Sequence, residues 1–466
     1  MKVAVAGGGI AGLFAGLLLA RAGHAVDVFE SDEASPPSPP ETAYLGWERK
    51  GVAQHRMPHQ FLARLRQVLL ERAPDLREAL LREGATEYEL FRKIPGGEID
   101  PADEEMVTLF ARRPVFEAVL RRDAELSGVA FHAGTRLQGL KVDAGSATGL
   151  RTTAGEVSAD VVVDAMGRRT QIATWLAEHG IPAPTEERSP CAVVYYCRCY
   201  QLKEGVQYPD GPYVSGGPMG DAGQLRFNMM RGDNRTHTIL LGVPSWDSGF
   251  RQLRHTASFD AVLRTITPLL PFLGGGFASP ITEVMAMGDI DNVRRHYSRD
   301  ATPLLPGLVA IGDSYCHTDP LFGWGATFAV KHGAALADSV EGAGTPAAVS
   351  VSLEAAIGPE ADAAYRVATL EDECRISEWR GETLDPAVDP AAFVRHVIAP
   401  ATLMDPVVFR AMVRRLTLLD PPDQIYSDPD VRSHATEAAT ARAGAKPPWS
   451  PATRDQLDTV MKEALK

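Results

Sequence analysis

Lys2-Val3-Ala4-Val5-Ala6-Gly7-Gly8-Gly9-Ile10-Ala11-Gly12 opens a stretch that runs on to His24-Ala25-Val26-Asp27-Val28-Phe29-Glu30, and its reading sets the fold. Lys2 to Ala6 is apolar, ends at glycine and reads as a short buried strand. Leu13 to Ala22 repeats Leu and Ala at helical spacing, and Gly23 stands where a helix C-cap belongs. His24 to Phe29 is a second apolar strand, closed by Glu30. Strand, glycine turn, helix, strand and acid follow one another within about 30 residues, the context a dinucleotide-binding βαβ unit requires. There Gly7, Gly9 and Gly12 let the backbone approach a pyrophosphate, which rests beside Ile10 and Ala11 on the helix N-terminus. Glu30 is placed to accept hydrogen bonds from ribose hydroxyls.

Outward from this unit, Ala34 to Glu41 is a proline-rich loop. Pro58 to Glu83 carries Phe61, Leu65, Val68, Leu69, Leu76, Leu80 and Leu81 at helical spacing with a break near Pro74, and Arg113 to Leu126 is a helix with Pro114 in its first turn. Val129 to Leu150 reads as β, and Val157 to Ala165 as one buried strand leading into Met166-Gly167-Arg168-Arg169. Cys191 to Val243 is β-rich with glycine and proline turns and no helices, which suggests an antiparallel sheet inserted between pieces of the nucleotide domain. Trp246 to Leu270 reads as helix, Leu308 to Ile311 as a last parallel strand, and Gly325 to Val340 as a helix. From Ser350 the chain reads as mostly helical with proline breaks. The expected class is α/β: a Rossmann-like nucleotide-binding domain with an inserted antiparallel-sheet substrate domain and a helical C-terminal region. The nucleotide domain takes residues 1–85, 112–185 and 291–345, the substrate domain takes 86–111 and 186–290, and the helical region takes 346–466.

Composition narrows the partners. With 47 Lys+Arg against 60 Asp+Glu the net charge is −13, and an acidic surface repels phosphate backbones, so nucleic acid is not expected. Cys191, Cys197, Cys199, Cys316 and Cys374 show no metal-ligand spacing; no metal site is expected, and the sparse odd set suits a reducing cytoplasm. The opening apolar run is interrupted by glycines and reaches Arg21, unlike a signal peptide or a membrane span.

Two further segments join the first. One is Asp160-Val161-Val162-Val163-Asp164-Ala165-Met166-Gly167-Arg168. The other is Gly312-Asp313-Ser314-Tyr315-Cys316-His317-Thr318-Asp319-Pro320-Leu321-Phe322-Gly323-Trp324-Gly325. In order and separation the three segments resemble the FAD-dependent monooxygenases of the para-hydroxybenzoate hydroxylase fold, over roughly residues 1–340. That superfamily also holds styrene monooxygenases, polyether epoxidases, flavin halogenases and geranylgeranyl reductases, and the motif style here is most similar to the styrene monooxygenase and polyether epoxidase branch. The resemblance implies FAD as cofactor. Asp313 would accept from ribityl hydroxyls, Pro320, Gly323, Gly325 and Ala326 would lie against the flavin edge, and Gly167 would belong to the same site. Arg49 and Arg113 would contact ribityl or phosphate groups, and Leu137 would face the adenine through its backbone. It further implies O2 as co-substrate, activated as a flavin C4a-hydroperoxide, for epoxidation or hydroxylation of an apolar, polyketide-like or aromatic small molecule in secondary metabolism. A double-bond reductase or dehydrogenase, or a non-enzymatic FAD-binding scaffold, are the alternatives.

One departure bears on the electron source. Relatives that bind NADPH directly carry Ala-Asp-Gly where this chain has Ala165-Met166-Gly167, so electrons from NAD(P)H are expected either directly or, with more support from this exchange, through a flavin reductase partner. Halogenase chemistry is disfavoured, since the chain has no Trp-x-Trp-x-Ile-Pro segment and no glycine-rich loop with a flanking lysine. On the substrate side, Tyr195, Tyr196, Arg198, Arg226 and Asn228 come from the β-rich insert, although Tyr195 and Tyr196 must point to opposite faces. His59 and His317 are candidate acid/base residues, and Cys316 lies beside the third motif without a group that would make it a reactive thiolate.

Overall fold

Valine and alanine alternate through Lys2–Ala6 with every residue from Val3 onward buried, so this strand can only lie in the middle of a covered sheet. The computed structural model describes residues 1–442 and 449–466. The elements that carry the site are, in chain order, β1 (Lys2–Ala6), α1 (Ile10–Arg21), β2 (Ala25–Phe29), α2 (Arg113–Leu126), β3 (Ala130–His132), β4 (Val161–Asp164), β5 (Val193–Leu202), β6 (Leu225–Arg231), β7 (Thr236–Pro244), β8 (Asp291–His296), β9 (Leu308–Ala310), α3 (Gly325–Gly342) and α4 (Pro346–Trp379). A parallel sheet runs β9-β4-β1-β2-β3, with Val3 opposite both Val26 and Val161, and Asp164 opposite both Ala6 and Ala310. Helix α1 is apolar on all sides and is sandwiched between this sheet and α3. The crossing with α3 is close: a Cβ on Gly333 would stand 3.1 Å from Ala15 N.

The antiparallel sheet places the hairpin β6–β7 beside β5, with Cys197 opposite Leu240 and Asn228 opposite Leu240 on the far side. Period two divides its side chains. Val193, Tyr195, Cys197 and Leu240 pack with Met57, Met287 and Ile290 on the inner face. Tyr196, Tyr200, Phe227, Ile239 and Leu241 pack outward, under the helices Thr256–Leu263 and Arg454–Glu463.

Several boundaries differ from the sequence reading. The run Val157 to Ala165 is two strands, because Gly155–Ser158 pairs in a hairpin sheet with Ser146–Thr152 before Asp160 turns the chain into β4. The helix expected from Pro58 begins at Ala63, since Phe61 is held extended by exchanging backbone hydrogen bonds with Leu109. Strands Thr86–Glu89 and Val107–Phe110 pair with each other. Trp246 to Leu270 is a short helix, Thr256–Leu263, between two 3₁₀ turns, the second with Pro271 inside it. Pro359 does not break α4, where burial of Leu353, Ile357, Ala361 and Ala364 outweighs one lost backbone bond. Among the described residues no helix is long and apolar enough to cross a membrane, and all five cysteines are free and buried.

Candidate functional site

A cavity of about 660 Å³ runs from the β1–α1 turn, past the carboxyl ends of β4 and β9, to the inner face of the antiparallel sheet. Its first end is built by glycines. Gly7 has φ +113°, and a Cβ there would stand 2.3 Å from Ala165 O, so the turn lies directly on the end of β4. A Cβ on Gly9 would meet nothing within 4 Å, which leaves that position open toward the cavity. The N-terminus of α1 has no side-chain cap, so its first N–H groups are free for a ligand. Gly7, Gly9, Ile10, Ala11, Glu30 and Leu137 all line this end. Gly12 does not: its Cβ would stand 2.0 Å from Gly7 O, so it is a packing glycine that lets α1 close on its own turn. This corrects its expected place against a pyrophosphate.

The charged residues near this end hold one another. Glu30 Oε2 accepts from Gly8 N–H at 3.2 Å and from Arg49, and Oε1 accepts from Ser31 Oγ at 3.1 Å and Asp32 N–H at 3.0 Å. Arg49 also donates to Gly8 O at 3.1 Å and to Glu117 at 2.8 Å. Glu117 is fully buried on α2 and also accepts from Arg113 at 2.7 Å. Burial works against its charge, yet Arg113, Arg49 and His55 bring its pKa down to about 2. His59 donates from Nδ1 to Met57 O at 2.8 Å and accepts at Nε2 from Arg113 at 3.2 Å. Desolvation and the Arg113 charge push it down to about 3, so it is neutral and orients Arg113 instead of supplying a proton.

At the middle of the cavity two strand ends are tied together. Asp164, at the end of β4, accepts from Met166 N–H (3.1 Å), Ser314 Oγ (2.9 Å), Thr170 Oγ1 (2.6 Å) and Tyr297 Oη (2.8 Å). Ser314 Oγ accepts in turn from Gly167 N–H at 2.7 Å. Arg295 donates to the carbonyls of Asp313 and Ser314 at 3.3 Å each and of Arg168 at 3.1 Å. This frame presents Asp313 beside Gly167. Burial would raise the Asp313 pKa, but His317, Arg113 and Arg168 hold it below the usual carboxylate range. His317 Nδ1 lies 3.4 Å from Asp313 Oδ2, and its buried Nε2 has no partner. Beyond it, Pro320 opens a single turn, Gly323 takes the left-handed conformation at φ +69°, and α3 begins at Gly325 without a side-chain cap. Arg49, Arg113, Gly167, Gly312, Asp313, Pro320, Gly323, Gly325 and Ala326 all line the cavity.

The far end is an apolar chamber walled by Met57, Met230, Leu240, Met287, Ile290 and Leu321, with Tyr195 and Asn228 among its polar members. Asn228 Oδ1 accepts from Ser215 Oγ at 2.9 Å. The other substrate-side candidates are elsewhere. Tyr196 and Arg198 point outward from β5, where Arg198 pairs with Asp260 at 3.0 Å and donates to Thr282 O at 2.9 Å. Arg226 pairs with Asp221 at 2.7 Å, away from the cavity lining. Cys316 is buried and its thiol is pushed up to about 12 by burial, which makes it inert.

Sequence reasoning missed Arg295, Ser314 and Tyr297, whose partners lie in other segments, and it missed a buried group of acids around Arg375. Cys191, Asp319 and Asp372 bring ligand atoms within 4.8 Å of one another. A cation already serves them, since Arg375 on α4 ion-pairs with Asp372 at 2.6 Å and Asp319 at 3.2 Å. In the sequence these residues carry no spacing signal.

No family model matches the chain. The protein Rv3254 of Mycobacterium tuberculosis (strain ATCC 25618 / H37Rv) is 24% identical over 350 residues, covering 69% of each chain. Among solved structures, the flavin-dependent brominase Bmp2 matches with a TM-score of 0.61 at 17% identity, over 95% of this chain and 100% of that one. OxyS, an anhydrotetracycline hydroxylase from Streptomyces rimosus, matches with a TM-score of 0.54 at 18% identity, over 90% and 76%. With its parallel sheet, antiparallel sheets and C-terminal helical region, the chain has the fold of these solved flavin-dependent structures.

Proposed function

We propose that the cavity holds FAD and that the protein is a monooxygenase placing one oxygen atom from O2 on an apolar small molecule, by epoxidation or hydroxylation. The observation that carries this reading is the arrangement of two uncapped helix N-termini, those of α1 and α3, on one cavity with Asp313 between them. The open Gly9 and the α1 terminus suit a pyrophosphate, Asp313 suits ribityl hydroxyls, and the α3 terminus suits an electron-rich ring edge. Bound there, the flavin supplies two-electron transfer and reaction with O2. The chain's part is positional. The methionine- and leucine-walled chamber excludes water, and Asn228, whose Oδ1 is already engaged by Ser215, keeps its amide N–H groups for an acceptor on the substrate. Five buried thiols fit work in a reducing cytoplasm.

Asp313→Ala removes the ribityl acceptor and is expected to weaken FAD binding by about 1.5–3 kcal/mol, roughly ten- to a hundredfold. Fluorescence titration measures this, and wild-type affinity in the variant removes the flavin assignment. Product formation that persists without O2 moves the protein to the double-bond reductase or dehydrogenase reading. A halogenase reading needs a lysine in the substrate chamber; the lysine of the cavity lining is Lys50, exposed on the loop beside Arg49 and Gly51.

For the electron source, Met166 lines the cavity with a thioether where NADPH-dependent relatives carry an acid. We infer delivery through a separate flavin reductase. Anaerobic stopped-flow mixing is expected to show slow flavin bleaching by NADPH or NADH alone, and turnover that rises on adding a flavin reductase and free FAD. Rapid, saturable bleaching by NADPH at the turnover rate overturns this.

A further inference from the structure

Asp319 in the cavity wall is held from three distant parts of the chain. It caps the turn Pro320–Phe322 by accepting from Leu321 N–H at 3.0 Å, and that turn leads through Gly323 into α3. Tyr195 Oη on β5 donates to its Oδ1, Arg375 on α4 donates to its Oδ2 at 3.2 Å, and its own N–H donates to Asn292 Oδ1 on β8 at 2.7 Å. Arg375 also donates to Asp372 Oδ1 at 2.6 Å and to Cys191 O at 2.7 Å, and its guanidinium lies 4.5 Å from the centre of the Trp379 ring. Asn292 Nδ2 completes the set by donating to Asp372 Oδ2 at 2.8 Å. The Asp319, Asp372 and Arg375 side chains are each at most 1% exposed.

An ion cluster this deeply buried is a weak source of stability, because desolvation offsets its attraction and an apolar set of the same volume packs as well. What it does supply is direction: each donor fixes one oxygen of Asp319, and Asp319 fixes the turn. We propose that Tyr195 and Arg375 are positioning residues that set, through Asp319, the orientation of the Pro320–Gly325 loop against the flavin. Because Tyr195 also lines the apolar chamber, the substrate sheet and the cofactor loop share one hydrogen bond. The inference rests on the flavin reading above.

Tyr195→Phe removes only the hydroxyl and is expected to fold. Asp319→Asn keeps an acceptor for Leu321 N–H but turns an amide N–H toward Arg375, so it is expected to lose some Tm yet fold, because Arg375 keeps Asp372 and Cys191 O. The control is Arg415→Met, which breaks the part-buried Arg415–Glu371 pair outside the cavity lining. Titration of each purified protein with FAD, the visible spectrum of the bound flavin and Tm are recorded together. Tyr195→Phe and Asp319→Asn are each expected to bind FAD about five- to tenfold more weakly and to shift the long-wavelength flavin band. The double variant is expected to be no worse than the weaker single one, as two members of one contact require. The control should lose Tm while keeping wild-type affinity and spectrum. Wild-type affinity and spectrum in both cavity variants overturn the proposal, as does an affinity loss that follows Tm equally in the control. A wild-type protein that binds no FAD removes the flavin reading itself, and this shows before any variant is compared.

Discussion

Gly12→Val is expected to cost about 3–5 kcal/mol of stability with no ligand present, because its Cβ has to occupy a point 2.0 Å from Gly7 O and 3.0 Å from the Val5 side chain. Neither neighbour can yield: one is backbone in a turn already pressed against Ala165, and the other is core. Gly9→Val is the contrasting case. Its backbone is extended, at φ −85° and ψ −173°, and its Cβ meets nothing. Stability is expected to stay within about 1 kcal/mol of wild type, while FAD binding falls by about a hundredfold or more as the side chain fills the pyrophosphate position. Urea denaturation of the ligand-free proteins and FAD titration separate the two effects. Wild-type stability in Gly12→Val, or wild-type FAD affinity in Gly9→Val, contradicts this division of labour.

Acidification is expected to destabilise the protein through its buried histidines, well before Glu117 titrates. Burial pushes His55 down to about 4, with Arg113 and Arg49 adding to the effect against Glu117. Burial likewise pushes down His237, beside Arg231, and His332, beside Lys331 and Arg294, each to about 3. The His332 ring agrees, since its Nδ1 accepts from Gly312 N–H at 3.1 Å. In the unfolded chain these rings take up protons below pH about 6.5, whereas in the folded chain they stay neutral until pH 4 or 3. The unfolded state therefore binds more protons throughout that window, and stability falls as pH falls. Each ring contributes about 2 kcal/mol of loss between pH 7 and pH 5. Burial raises the Asp164 and Asp372 carboxyls, which take up protons in the folded state and offset part of this loss. Glu117 adds a second phase: its stability is present above its ordinary value of 4.5 and is lost as pH falls toward 2. Urea midpoints at pH 7, 6 and 5 measure the first phase, and His332→Gln should flatten it. A midpoint constant from pH 7 to 5 contradicts the histidine account.

The contrast between Gly9 and Gly12 also shows where sequence reading stops. Strand, turn and helix at the N-terminus were legible because each has a local signal, namely alternation, glycine and Leu/Ala spacing. Arg113–Leu126 was legible for the same reason, with Pro114 marking its first turn. Which glycine faces a ligand and which faces backbone is decided by the crossing of α1 over its own turn, and no local pattern records that. On β5, period two required Tyr195 and Tyr196 to diverge but could not say which one looked inward. That depends on helices Thr256–Leu263 and Arg454–Glu463 claiming the other face. Arg295, Tyr297 and Arg375 were invisible because their meaning lies in partners from other segments.

The parallel sheet has a consequence for how the chain is made. Leu308–Ala310 pairs with Val162–Asp164, so while a ribosome delivers the chain N-terminus first, the outer edge of β4 stays open until residue 310 has emerged. The acid at 319 then waits for its counter-charge until residue 375 has emerged as well. The nascent polypeptide therefore carries an unpaired apolar strand edge for much of its synthesis, and a messenger truncated anywhere before α4 yields a chain that never completes its cradle. Completion of this protein is an event of its C-terminal third, and protection of the growing chain from self-association matters most in the interval just before it.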